Sequence, residues 1–184
     1  ARLGARVAMI GQVGQDSFGK TLCDGLAADG VDIRGVRQDS SIGTGVAMIL
    51  VEDIGQNRIV LAPGANGTLS PSDMDACVPV LQQAAMLIVQ LEVPLPVVQR
   101  AMEIAHAAGV PVLLNPGPAV PLPDSWWSKI DILVPNETEA SLLSGITVND
   151  VDSAFSAARV LRQRGVASVL ITLGANGVIS VNKD

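Results

Sequence analysis

Apolar residues recur along the chain in two rhythms. In the second half, short and largely unbroken apolar runs at 86–91, 112–114, 131–134 and 169–173 alternate with longer stretches at 94–108, 136–143 and 149–164. In the longer stretches the apolar positions return every three or four residues, the repeat of a helix with one buried face. Apolar side chains at consecutive positions are expected of strands covered on both faces. The alternation therefore predicts an α/β fold: a mostly parallel sheet with helices on both faces, joined by right-handed crossovers.

The first half reads differently. Residues 6–10 form a short apolar strand, and 16–29 a helix stopped by Gly30. The runs 42–52 and Asn57–Ala62 are rich in β-formers and flank the turn cluster Asp53-Ile54-Gly55-Gln56, which predicts a hairpin. That hairpin breaks the strand–helix rhythm, so residues 42–63 are expected to leave the main sheet as part of a β lid. Ser70-Pro71-Ser72-Asp73 opens a helix that is expected to run to about residue 84: Ser70 can cap, Pro71 suits the first helical position, and Asp73 offers charge to the positive end. Trp126 and Trp127 follow Pro123-Asp124-Ser125 in a short helix and are expected to pack, while Met86 and Met102 are expected in the core.

Composition narrows the function classes. Of 184 residues, 48% are hydrophobic and 16% charged, enough for a core and too apolar for a disordered segment. The net charge is −6, with Lys and Arg scattered, which argues against nucleic acid or an anionic membrane as partner. No apolar run reaches membrane-spanning length, and no leader pattern opens the chain, so a cytoplasmic protein is expected. Cys23 and Cys77 are far apart and read as free thiols. The single histidine, His106, falls near a helix end where a cation is favourable and carries no chemistry in this reading.

One motif matches and misleads. Gly14-Gln15-Asp16-Ser17-Phe18-Gly19-Lys20-Thr21 satisfies the phosphate-loop pattern G-x-x-x-x-G-K-[ST]. Such a loop wraps anionic phosphate in backbone N–H groups, and Asp16 would place a carboxylate inside it. Asp16 and Ser17 are also good caps, which puts Gly19, Lys20 and Thr21 within the helix. The expectation is a strand-to-helix turn with Lys20 facing solvent; a P-loop NTPase is the weak alternative.

Four segments in order carry a resemblance. Gly11-Gln12-Val13-Gly14-Gln15-Asp16-Ser17-Phe18-Gly19, Gln90-Leu91-Glu92-Val93-Pro94, Pro135-Asn136-Glu137-Thr138-Glu139-Ala140 and Leu170-Ile171-Thr172-Leu173-Gly174-Ala175-Asn176-Gly177 resemble the G-x-x-G-x-D-x-x-G, Q-L-E-x-P, P-N-x-x-E and T-x-G-x-x-G segments of the ribokinase-like (phosphofructokinase-B-like) sugar kinases. Each is modest alone; the ordered set covers essentially the whole chain. The family's Gly-Gly-Lys-Gly-x-Asn sugar loop would lie before Ala1, and its Gly-Ala-Gly-Asp loop with the catalytic base beyond Asp184. The chain is thus expected to be a central fragment of one such domain, without a catalytic residue of its own.

The resemblance implies ATP-dependent phosphorylation of a pentose, most readily D-ribose, with Mg²⁺ and a monovalent cation, K⁺, and a homodimer joined through the lid sheet. Fructokinase and 2-keto-3-deoxygluconate kinase activities are alternatives within the family. A non-catalytic nucleotide-binding module is the alternative from another class. Glu92 stands just past a strand's carboxyl end, where open α/β sheets bind ligands, and a carboxylate there can accept two hydroxyls; the resemblance makes it a sugar contact, and a plain helix-start residue is the other reading. Asn136 and Glu139, three apart, suit a capping box. The resemblance adds nucleotide phosphate for Asn136 and the water shell of Mg²⁺ for Glu139. Thr172, Leu173, Gly174, Ala175, Asn176 and Gly177 make a turn between two strands, and the resemblance adds nucleotide binding to it. Asn115-Pro116-Gly117-Pro118 is expected to shape a cleft floor.

Overall fold

A computed structural model describes residues 1–51 and 57–182. They fall into two compact units, one of Ala1–Cys77 with Glu92–Pro94, the other of Val78–Leu91 with Leu95–Asp184.

In the first unit, β1 (Ala8–Gly14) and β2 (Asp32–Asp39) pair in parallel, from Ala8 opposite Asp32 to Gly14 opposite Asp39. Helix α1 (Ser17–Ala28) connects them, capped by Asp16, whose side chain accepts the Gly19 N–H. The sequence predicts a strand at 6–10; the observed one starts and ends later because β2 supplies hydrogen-bonding partners as far as Asp39. The sequence predicts no strand over β2. Its sequence, Asp-Ile-Arg-Gly-Val-Arg-Gln-Asp, has no apolar run, and pairing rather than propensity makes it extended. Strands β3 (Val46–Val51) and β4 (Asn57–Ala62) form the expected antiparallel hairpin as a separate two-stranded sheet, with Val46 opposite Ala62 and Val51 opposite Asn57. The connecting residues 52–56, which include the turn cluster, lie outside the described residues. A 3-10 turn (Gly64–Thr68) leads to α2 (Pro71–Ala76), which has Ser70 at its cap and Pro71 in first position. Asp73 is buried, accepts the Ser70 N–H, and forms an ion pair with Arg37 of β2.

The expected single helix to residue 84 is two. Helix α2 ends at Ala76 with Cys77 as its C-cap, and α3 (Val78–Gln82) starts afresh. Pro79 has no N–H to bond back to Asp75, so the ladder breaks there.

The second unit carries the sheet β5 (Leu87–Val89), β6 (Val112–Leu114), β7 (Ile132–Leu133), β8 (Ser168–Thr172) and β9 (Val178–Asn182), in that order. The first four are parallel, and β9 returns antiparallel to β8. Helix α4 (Leu95–Ala107) packs on β5 and β6; α5 (Glu137–Ser144) packs on β8, and α6 (Val151–Gln163) on β8 and β9. Met102 and Ala105 of α4, Ala157 and Leu161 of α6, Leu114, Leu133, Val169 and Ile171 form its core. Helix α6 takes Asp150 as its cap, one residue past the expected start. Trp126 and Trp127 are buried in a 3-10 turn (Asp124–Lys129), as expected of packing residues. Met86 departs from expectation. It is 39% exposed, because it precedes β5, an edge strand of this sheet whose Ile88 is also exposed.

Among the described residues no helix is long and apolar enough to cross a membrane.

Candidate functional site

The parallel strands of the second unit deliver their carboxyl ends to one edge, and backbone hydrogen bonds continue across the loops that leave them. The Asn115 N–H donates to the Val89 carbonyl at 3.0 Å, Val134 to Leu114 at 2.9 Å, and Thr172 to Pro135 at 3.0 Å. Leu91, past the end of β5, donates to Gly117 at 3.0 Å. Asn136, beyond β7, forms a parallel bridge with Thr172, the last residue of β8. Ligand-bearing residues of an open α/β sheet collect at such an edge.

Asn136 caps α5. Its carboxamide oxygen accepts the Glu139 N–H at 2.9 Å, and Glu139 returns the bond, Oε2 accepting the Asn136 N–H at 2.9 Å. The capping box expected from the spacing is present. Glu139 is only 8% exposed, and its Oε1 also accepts from the Asn136 side-chain amide at 3.0 Å. A buried carboxylate at a helix N-terminus is stabilised by the helix dipole and here by two donations from Asn136 within one turn.

The structure adds a neighbour that sequence reasoning assigned to the cleft floor. Asn115 donates its side-chain amide to the Val134 carbonyl at 3.0 Å, which turns its oxygen toward Gly117. A methyl group at Gly117 would lie 3.0 Å from both Asn115 Oδ1 and Glu139 Oε1. Two acceptor oxygens therefore flank a space that exists because residue 117 has no side chain. The Gly117–Pro118 peptide is cis. The only sequence signal for this pairing is that Asn115 and Asn136 both follow predicted strands.

A magnesium ion fits this donor set in one manner. Among the described residues there is no group of three or more His, Cys, Asp or Glu side chains able to cage a metal. One carboxylate and one amide oxygen beside an open glycine suit an ion that keeps most of its water shell and is held through it.

The third element is the turn after β8. Leu173 is buried, while Thr172, Gly174, Ala175, Asn176 and Gly177 are exposed. The turn is closed by Leu173 N–H to the Gly177 carbonyl at 2.8 Å, and Gly177 sits at φ +87, a conformation side chains resist. The N–H groups of Leu173, Asn176 and Gly177 are spent inside the turn, which leaves those of Gly174 and Ala175 and the Thr172 hydroxyl as donors for an anion.

Asn136, Glu139 and Thr172 are thus brought together, with the turn 173–177 continuing from Thr172. Glu92 is exposed at the exit of β5 and groups with the first unit. Lys20 lies on the solvent side of α1, paired with Asp24, and Asp16 faces the Gly14-to-Gly19 turn as a helix cap. This arrangement fills the phosphate-loop pattern with a carboxylate, as the sequence indicates.

Comparison with known proteins places the chain in a family. The family model described as pfkB family carbohydrate kinase matches residues 1–184. The chain is 45% identical over 183 residues to a ribokinase of Haemophilus influenzae, all of this chain against 60% of that protein. It is 36% identical over 185 residues to a deoxyribokinase of Salmonella typhi, again all of this chain and 60% of the relative. Among solved structures, Arabidopsis thaliana ribokinase complexed with ribose and ATP superposes with a TM-score of 0.84 at 28% identity, covering 97% of this chain and 61% of that one. The chain thus spans about 60% of the length of these relatives.

Proposed function

The chain belongs to the pfkB family of carbohydrate kinases, and from that premise we propose that the protein containing it transfers the γ-phosphoryl group of ATP to the primary hydroxyl of a pentose, D-ribose, giving ribose 5-phosphate. The observation that carries this reading is the meeting of Asn136, Glu139 and Thr172 at the carboxyl ends of parallel strands, in a chain 45% identical to a ribokinase. The deoxyribokinase relative makes 2-deoxyribose the competing sugar.

In this reading Glu92 accepts hydroxyls of the sugar. Asn136, Thr172 and the backbone of 173–177 bind nucleotide phosphate. Glu139, with Asn115, orients the water shell of Mg²⁺. When bound, the ion offsets negative charge on the phosphates. Most of the rate then comes from positioning and from excluding water, and the hairpin of β3 and β4 serves as the lid. The hydroxyl proton passes to a base that the family resemblance places outside this chain, as the sugar oxygen bonds to phosphorus and ADP leaves. A homodimer through the lid sheet, use of K⁺ and a cytoplasmic location belong to the same proposal. Residues 1–184 are one piece of a single ribokinase-like domain, with 42–63 in its lid.

The test is ADP release by the full-length protein with ATP, Mg²⁺ and, in parallel, D-ribose, 2-deoxyribose, fructose and 2-keto-3-deoxygluconate. The highest kcat/KM is expected with ribose, and no sugar-dependent turnover is expected of the 184-residue chain alone. ADP release independent of every sugar would leave a nucleotide-binding module. A preference for 2-deoxyribose would correct the substrate.

A further inference from the structure

The G-x-D-x-x-G turn has a role that helix capping does not exhaust. Asp16 accepts the Gly19 N–H on Oδ1 at 2.8 Å, and the same oxygen accepts the Thr44 hydroxyl at 2.7 Å. Its second oxygen accepts the Thr44 N–H at 2.8 Å. The Thr44 hydroxyl in turn accepts the Gly14 N–H at 2.9 Å. One carboxylate and one hydroxyl therefore tie the turn between β1 and α1 to the residue two positions before β3. The approach is close enough to require Gly14: a methyl there would sit 2.6 Å from the Gly43 carbonyl carbon and 2.7 Å from Asp16 Oδ2. The other leg of the hairpin joins the same root, with the Ala65 N–H donating to the Gly43 carbonyl at 2.9 Å.

Among the described residues, the hairpin pairs its two strands chiefly with each other. Its apolar side chains are exposed on both faces: Met48 is 62% exposed and Ile49 56%, and Val60 and Leu61 across the hairpin are likewise open. Adjacent residues of one strand point to opposite faces, so among the described residues both faces of the hairpin carry open apolar side chains.

We propose that Asp16 is a positioning residue for the β3–β4 hairpin, its carboxylate clasping Thr44 so that the hairpin is held at the angle from which it covers bound sugar. The clasp rests on the geometry above; its effect on sugar binding rests on the lid reading under Proposed function. The hydrogen bonds from Gly19 and Thr44 also hold the Asp16 carboxyl below its ordinary pKa, consistent with a carboxylate that stays charged.

Asp16→Asn separates the clasp from the cap. The Asn oxygen can still accept from Gly19, while its NH₂ faces the Thr44 N–H, donor against donor. Thr44→Val removes the hydroxyl, and Thr44→Ser retains it. Hydrogen exchange of the full-length protein, read on peptides covering 40–66 with α1 peptides as internal control, should rise about tenfold in Asp16→Asn and Thr44→Val, the loss expected of a hydrogen bond to a charged group. It should stay within about twofold in Thr44→Ser. In the same variants the sugar KM should rise at least about fivefold while the ATP KM holds, and Thr44→Ser should restore it. Unchanged exchange over 40–66 in both Asp16→Asn and Thr44→Val would overturn the clasp. Faster exchange with an unchanged sugar KM would overturn the positioning role. A wild-type protein that phosphorylates no sugar would end the kinase reading and the positioning role together, and the exchange measurement would still decide the clasp.

Discussion

Asn136 and Glu139 satisfy each other across the first turn of α5: each accepts the other's backbone N–H at 2.9 Å, and the Asn136 amide adds a third bond at 3.0 Å. The pair is a helix cap and, in the proposed function, a phosphate and magnesium site. Those two roles predict different substitution patterns.

Glu139→Ala removes the cap and leaves the Asn136 N–H without its acceptor, at a cost of about 0.5–2 kcal/mol. Thermal melting should show a lower Tm. Glu139→Gln keeps an acceptor for that N–H but sets its NH₂ against the Asn136 amide, so it should melt between wild type and Glu139→Ala, and in full-length protein it should need more Mg²⁺ for half-maximal turnover. A Glu139→Gln variant with unchanged Mg²⁺ dependence would leave Glu139 as a cap alone.

Glu92 is exposed at the exit of β5, so its loss should cost the fold little. Glu92→Ala in full-length protein should raise the sugar KM by the equivalent of about 1–3 kcal/mol, the loss expected of an acceptor for sugar hydroxyls. The ATP KM should hold. Isothermal titration with ribose would check the same point without turnover, and an unchanged Kd would return Glu92 to a surface role.

Lys20 distinguishes the family motif from the phosphate-loop pattern it mimics. It forms an i,i+4 pair with Asp24 on the exposed side of α1, a contact of small energetic weight. Lys20→Ala should leave ATP affinity within about twofold. In a true phosphate loop the same change would nearly abolish nucleotide binding.

Acid should act through the depressed carboxylates. Asp32 is held at about 2, chiefly by the Arg34 side-chain hydrogen bonds and then by the Arg34 backbone N–H, and Asp16 is held below its ordinary value by Gly19 and Thr44. A carboxyl whose pKa is lower in the folded state contributes stability that is fully present above its unfolded value, near about 3.9. That contribution is lost as pH falls through the folded value. Asp32 should therefore stay ionised at pH 4 and titrate only as pH approaches about 2, and Asp16 should titrate below the ordinary aspartate value. Carboxyl ¹³C NMR of the folded protein would read both transitions; midpoints near the ordinary aspartate value would contradict the hydrogen bonding described.

How far the sequence reaches depends on whether a feature is written locally. The caps at Asp16, Ser70 and Asn136, the apolar strand β6 and the hairpin strand β4 are read from a few neighbouring residues, because the interactions that form them close within one turn or one pairing. Asn136 and Glu139 are legible as candidates from their three-residue spacing after a predictable strand, and Thr172 from the T-x-G-x-x-G segment at the end of another. Tertiary structure alone decided what depends on partners distant in the chain. Strand β2, charged at half its positions, is extended because β1 offers it a ladder. Asn115 joins Glu139 because Gly117 leaves space between their oxygens. Asp16, legible as a cap three residues from Gly19, also holds Thr44, 28 residues away, through its remaining lone pairs. A side chain's first hydrogen bond is local and leaves a sequence pattern; where its other lone pairs are satisfied is set by chain segments that only folding brings within 3 Å.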